Sequence, residues 1–331
     1  MSNRHGPNSS TLLSRTRRGT CFFLCQRALV CLTLVFLCVQ VAAQRIPQRP
    51  RILGIAGVSF YSSNFDATRA FYGRILNMTP GDVCFWCEVS GQWSPRQYSS
   101  AVLVSAEQQL TLAKPPDSTP PNLLHEIIFD TDDLKAMRTY LEANHIAANK
   151  IVDPRTRNPM ITVVDPEGHL VAFRQHTRAP VHTDANTLHI IHAGFVVHDR
   201  AAEDHFYKDI LGFHVYWHGG RKDDETSWVD MQVPDGTDWI EYMLNVSPNA
   251  DHHTLGVMNH IALGVPDIHA AEAQLRKNGL SGNEEPKIGR GGKWQLNLYD
   301  PDDTRVELME FTPTQKPCCA DYTGPHPGPK Q

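Results

Sequence analysis

The chain has 331 residues and a formal net charge of −5, long enough for two domains after a leader is set aside. Its 41% hydrophobic content supports buried cores and excludes wholesale disorder. The first 43 residues hold five Arg and no acid, leaving 26 basic against 36 acidic groups in the rest; such a balance repels phosphate backbones, so no nucleic-acid partner is expected.

The elements begin with a leader. Arg15, Arg17 and Arg18 precede an apolar run from Ala28 to Val39, and Val41-Ala42-Ala43 offers the small residues of a cleavage site. This is the pattern of a signal peptide over 1–43 and of an exported, periplasmic or secreted protein. An uncleaved anchor is the alternative, although the run is short of the ~20 residues that span a bilayer; no other membrane link is expected. A linker, 44–51, leads to strand–helix–strand units near 52–113 and 122–176. Cys84 and Cys87 fall in a strand-like segment and read as a structural pair, since no second pair at zinc spacing exists. A polar stretch, Thr177 to Thr187, links to the second half. There a strand runs His189–Val197, Asp199 caps a helix through Leu211, and Gly212 stops it. Strands follow near Phe213–Trp217, Ser227–Val233 and Trp239–Val246. The fourth unit has a strand at Asn259–Val265, a helix capped by Asp267 and stopped by Gly279, and strands near Lys293–Tyr299 and Arg305–Phe311. Residues 313–331 read as a flexible tail, in which Cys318 and Cys319 would cross-link chains in an oxidising compartment, as in a homodimer.

The halves are copies. Phe71-Tyr72-Gly-Arg-Ile75-Leu76 returns as Phe206-Tyr207-Lys-Asp-Ile210-Leu211; His125 returns as His260; Asp165-Pro166 returns as Asp300-Pro301. All three recur at an offset of 135 residues, which marks a tandem duplication. The fold class is therefore α+β, with tandem βαβββ modules, four in all, forming two domains over 52–178 and 188–312.

Strand alternation singles out four side chains. His192 lies in the first strand of the third unit and Glu241 in its last; His260 and Glu307 hold the same places in the fourth. Their separations are 49, 19 and 47 residues. In the final strand Val306 and Leu308 share the apolar face, so Arg305, Glu307 and Met309 face a cavity. Two imidazoles and two carboxylates suit one divalent transition metal, Zn, Ni, Fe, Mn or Co, with positions left open for a small-molecule substrate. Shifted by the repeat, His192 maps to Gly57, Glu241 to Ala106, His260 to His125 and Glu307 to Ala172. The first domain therefore reads as a degenerate copy without metal.

These motifs, with Phe206-Tyr207-Lys-Asp-Ile-Leu-Gly212, Ile240-Glu241, Asn259-His260-Ile-Ala-Leu and Asp300-Pro301 leading to Val306-Glu307-Leu308, resemble the vicinal oxygen chelate superfamily of glyoxalases, bleomycin-resistance proteins and extradiol dioxygenases. The likeness covers residues 52 to 312, and the second domain is most similar to glyoxalase I. It implies metal ligands at His192, Glu241, His260 and Glu307, and lyase, isomerase or epimerase chemistry with Glu307 or Glu241 as catalytic base. The first alternative is an Fe(II) ring-cleaving dioxygenase using His192, His260 and Glu307. Against it, Asn297 stands where those enzymes usually place a Tyr, and Glu241 is an extra carboxylate. The second is a non-catalytic binder of the bleomycin-resistance type. Tyr216, Trp217, Trp228, Trp239, Tyr242 and Trp294 are candidates for the pocket wall, Arg221 and Arg290 for holding an anion. His252 and His253 are assigned to a solvated loop.

Overall fold

The computed structural model describes residues 47–84, 87–89, 92–94, 99–104, 107–115, 120–152, 158–177 and 188–329. The leader, Ala106 and all but the first residue of the linker Thr177–Thr187 lie outside them.

The first unit opens with β1 (Ile52–Tyr61), buried along nearly its whole length as a central strand must be. Helix α1 (Phe65–Ala70) is capped by Asn64 and passes into a π-helical turn at Phe71–Ile75. Then come β2 (Thr79–Cys84), the hairpin β3 (Cys87–Val89) and β4 (Gln92–Ser94), β5 (Ser99–Leu103) and β6 (Gln109–Ala113). The second unit has β7 (Leu124–Thr131), α2 (Leu134–Ala143) capped by Asp133, β8 (Asn149–Val152), β9 (Pro159–Val164) and β10 (Leu170–Gln175). The second copy has β11 (His189–Val196), then α3 (Arg200–Glu203) continued by a π-helical turn over Asp204–Ile210, then β12 (His214–Gly219), β13 (Trp228–Gln232) and β14 (Trp239–Met243). The last unit has α4 (His252–Met258), β15 (His260–Val265), α5 (Ile268–Lys277), β16 (Lys287–Ile288), β17 (Trp294–Tyr299) and β18 (Arg305–Glu310).

Each copy makes one eight-stranded sheet, ordered β2-β5-β6-β1-β7-β10-β9-β8 and β12-β13-β14-β11-β15-β18-β17-β16. In both, the opening strands of the two units pair antiparallel at the centre, and each takes the last strand of its own unit in parallel. The α+β architecture of four βαβββ modules is thus observed, with β3–β4 as an addition to the first. The repeated Phe-Tyr motif marks the π-helical turns: Leu76 N donates to Phe71 O at 3.3 Å and Leu211 N to Phe206 O at 3.0 Å, five residues back rather than the four of the expected α-helix.

The apolar faces of both sheets belong to one buried cluster, in which Phe129 meets Phe213 edge-on at 5.4 Å. The repeated Asp-Pro turns join the copies reciprocally. Tyr207 donates to Asp165 Oδ2 at 3.2 Å, and Tyr72 donates to Asp300 Oδ2 at 3.1 Å. Two residues further along each turn, Glu167 accepts the Asp199 N–H at 2.7 Å, while Asp302 accepts the Ser62 and Thr68 hydroxyls at 2.7 and 2.9 Å. Each turn therefore secures the start of the other copy's first helix.

Buried Gln108 makes a third bridge. Its Nε2 donates to Ile55 O at 2.8 Å and Ile190 O at 2.9 Å, and its Oε1 accepts from Ile190 N at 2.7 Å. Gln108→Ala deprives these buried backbone groups of partners, and a loss of about 3 kcal/mol is expected. Chemical denaturation checks this; an unchanged midpoint would show that water replaces the amide.

Four expectations change. Residues 313–329 pack against the second domain instead of forming a flexible tail: Thr323 N donates to Tyr216 O at 3.0 Å, Trp217 Nε1 to Cys318 O at 3.2 Å and Gln232 Nε2 to Pro325 O at 2.9 Å. Cys318 and Cys319 are bonded to each other, which removes both thiols from cross-linking chains. His252 and His253 open α4, capped by Asp251, rather than lying in a loop. Finally, the uncleaved-anchor alternative gains no support: among the described residues, which leave out the leader, no helix is long and apolar enough to cross a membrane.

Candidate metal centre

Four central strands of the second sheet bring the four singled-out side chains to one point. Registry explains how they fit. Glu241 and His260 both lie opposite Gly194, on the two sides of β11. His192 and Glu307 both lie opposite Ala262, on the two sides of β15. A residue with little or no side chain thus stands between each pair of bulky donors. A Cβ at Gly194 would come within 2.1 Å of the His260 ring.

The imidazole Nε2 atoms of His192 and His260 are 3.1 Å apart. Glu241 Oε2 lies 3.2 Å from His260 Nε2 and 3.8 Å from His192 Nε2. Glu307 Oε2 lies 3.7 Å from His192 Nε2 and 3.8 Å from His260 Nε2. His192, Glu241 and His260 place one atom each within 4.8 Å of one another, a group that leaves out Glu307. His260 Nδ1 sits 2.9 Å from Met258 O; an N–H there leaves the lone pair of Nε2 facing the cluster.

Electrostatics favours the same use. Burial holds His192 well below the ordinary histidine range, and burial with Arg305 nearby does the same to His260, so both rings are neutral donors. Burial pushes Glu307 up to about 7, with Glu241 adding to the rise and Arg305 opposing it. Arg305 Nη2 lies 2.6 Å from His260 Nε2 and 2.9 Å from its Nδ1, against the ring and not along either lone pair, and 4.0 Å from Glu241 Oε2. The residues fit one divalent transition metal: two neutral imidazoles and oxygen donors, buried and convergent.

A pH dependence follows. Proton and metal compete for Glu307, which in the metal-free protein holds its proton below about pH 7. Metal affinity should therefore climb by up to about tenfold per unit as pH rises toward 7, then level off. Metal titrations between about pH 5 and 8 check this; a flat profile would exclude Glu307 from the exchange.

Beside the cluster lies a cavity of about 370 Å³, lined by His192, Glu241, Glu307, Arg305 and Met309 among others. The expected cavity face of β18 is observed. Of the aromatic candidates, Trp217, Trp228 and Trp239 line the cavity. Tyr216 is fully buried against Trp239, Tyr242 belongs to the opposite core, and Trp294 packs against that core and His269. Arg290 reaches the cavity, whereas Arg221 is exposed and does not line it. His252 contacts Asp302 O and His253 neighbours Asp303, away from the cavity lining.

Sequence reasoning missed Asp230, Lys293 and Tyr322 in this wall. Alternation along Trp228-Val-Asp230 would have placed Asp230 on the cavity face, opposite Glu241. Tyr322 comes from the tail and carries no such signal.

In the first sheet Gly57 holds the place of His192 and Ala172 that of Glu307. Registry corrects the other two equivalences. Thr111, opposite Ser59, matches Glu241 opposite Gly194, because the chain between β2 and β6 differs in length from its counterpart. Glu126, opposite Ser59 on the other side of β1, matches His260, which puts His125 one residue out of register. His125 lies against Tyr61, ring centroids 4.5 Å apart.

Fold and site together define a metal-dependent enzyme of the vicinal-oxygen-chelate type. The chain belongs to the Glyoxalase/Bleomycin resistance protein/Dioxygenase superfamily, whose model matches residues 54–173 and again 189–308. Lactoylglutathione lyase of Haemophilus influenzae is 26% identical over 130 residues, covering 39% of this chain and 96% of that protein. Among solved structures, a single-residue mutant of homoprotocatechuate 2,3-dioxygenase from Brevibacterium fuscum aligns with a TM-score of 0.58 at 19% identity, covering 84% of this chain and 75% of that one. Homoprotocatechuate 2,3-dioxygenase from Arthrobacter globiformis aligns with a TM-score of 0.56 at 17% identity, covering 80% and 81%. At these identities the structural likeness speaks for the fold.

Proposed function

We propose that the chain is an oxygen-dependent, ring-cleaving enzyme of the extradiol type, acting on a small substrate with two adjacent oxygens. The observation that carries this reading is the convergence of His192 and His260 beside the cavity with two carboxylates, Glu241 in the tightest group and Glu307 at 3.7 and 3.8 Å from the two imidazoles. Two imidazoles and one carboxylate are the donor set suited to iron(II) and dioxygen. The tandem two-domain arrangement, matched over most of the chain by the ring-cleaving dioxygenases, supports it. In this reading His192, His260 and Glu307 hold the metal, Glu241 stands beside them, and 52–178 is a metal-free scaffold. Bound there, a divalent metal supplies a Lewis acid for two substrate oxygens, and iron(II) adds the capacity for dioxygen chemistry. The chain's own part is to keep the imidazoles neutral and to wall the substrate with Trp217, Trp228 and Trp239.

A second reading, glyoxalase-like isomerisation or lyase chemistry, rests on a specific observation. Glu241 approaches His260 more closely than Glu307 does, so both carboxylates are available. One of them would bind while the other moves a proton between neighbouring carbons. The lactoylglutathione lyase relative favours this reading, as does Asn297 opposite Glu307 in β17. Oxygen consumption decides. Iron(II)-loaded protein should take up O₂ in step with a catechol. No uptake, with exchange of a carbon-bound proton in D₂O under zinc or nickel, would replace the first reading by the second.

A further inference from the structure

Lys293 is 2% exposed, yet it forms part of the cavity lining. It stands among aromatic rings, 4.8 Å from the centroid of Trp239, 5.2 Å from Tyr322 and 5.4 Å from Tyr216. Its hydrogen-bond partner is Tyr216 Oη at 3.4 Å; Asp230 and Glu307 support its charge electrostatically, without a direct ion pair among the described residues. Ring faces attract an ammonium but do not replace its hydration. Trp239 in turn packs on His192, with ring centroids 4.8 Å apart, so Lys293 stands one aromatic ring away from the metal cluster.

The charge balance points the same way. The cavity is lined by Asp230, Glu241 and Glu307 and by Lys287, Arg290, Lys293 and Arg305. Arg290 is paired outward with Asp223. The remaining cations match the carboxylates in number, so a divalent metal leaves the cavity positive.

We infer that Lys293 is the anchor for an anionic group of the substrate, which is a small planar carboxylate carrying its two adjacent oxygens at the far end. The inference rests on the chelate reading above and adds the substrate's charge and the residue that selects it. A molecule of this kind spans from the metal cluster along the face of Trp239 to the ammonium, where its carboxylate replaces the water that burial removed.

The test uses the full chain loaded with zinc(II), which binds without turnover, and reads tryptophan fluorescence with catechol, 3,4-dihydroxybenzoate and benzoate as probes. Wild type should bind 3,4-dihydroxybenzoate at least about tenfold more tightly than catechol. Lys293→Met should bring that ratio to about one while leaving catechol affinity within about twofold. An undiminished ratio in the variant, or no preference in the wild type, overturns the inference. Failure of the chelate reading looks different: catechol then binds equally with and without zinc, while benzoate still senses Lys293. If Lys293→Met loses its fold, Lys293→Arg and the neutral 3,4-dihydroxybenzamide carry the test. Preference retained with Arg and lost with the amide supports the anchor; amide bound as tightly as acid overturns it.

Discussion

Replacing Glu307 by Ala should lower metal affinity by more than about 100-fold, beyond the 10–100-fold cost of losing an outer partner of a metal ligand. The carboxylate is 3% exposed and stands within 3.8 Å of both imidazoles, so no solvent-side group is placed to take over. His125→Ala, in the first copy, should change affinity by less than about twofold, since its ring lies against Tyr61 and, among the described residues, belongs to no convergent donor set. Equilibrium dialysis with elemental analysis of both variants measures the contrast. Comparable losses would sink the assignment of the site to the second domain. The metal-free melting temperature separates ligand loss from misfolding, and for Glu307→Ala it should move by only a few degrees, about what 1 kcal/mol does in a protein of this size.

The second large effect removes no donor. Gly194→Ala adds a methyl carbon 2.1 Å from one atom of the His260 ring and 2.4 Å from another. The ring is fully buried and tied to Met258 O, so it cannot yield without leaving its orientation. A fall of at least about tenfold in metal affinity is expected, as for other changes that disturb a ligand's setting. Gly328→Ala, where nothing lies within 4 Å of the added carbon, serves as the control. Unchanged affinity in Gly194→Ala would mean that His260 is free to move and that the crowding about β11 is incidental to the site.

What the sequence disclosed, and what it hid, follows from the range over which each feature acts. The duplication was legible because its anchors are local motifs held in one register by the same packing in both copies. The four donors were legible because strand alternation puts every second residue on one face and the two units repeat the pattern. Alternation does not say which other inward residues meet the cavity, so Asp230 and Lys293 went unassigned. The packing of 313–329 was illegible for a different reason. Much of it runs through backbone carbonyls, Cys318 O, Pro325 O and Gly328 O, and every residue has one. Ala106 was the wrong counterpart for Glu241 because a single offset ignores loop length, which strand pairing reveals directly.

The reciprocal Asp-Pro turns bear on how the two copies have been able to diverge. Gly57 and Ala172 stand where the second copy has His192 and Glu307, yet Tyr72 and Asp165 still match Tyr207 and Asp300. Drift has been permitted in the sheet's concavity and refused at the clasp. Because each clasp is made of one residue from either half, a change in one copy is felt in the other, and neither half can be cut away without stranding a buried tyrosine hydroxyl and a carboxylate. Transplanting the donor-bearing half onto another scaffold would therefore require redesign of the helix starts as well as of the cavity.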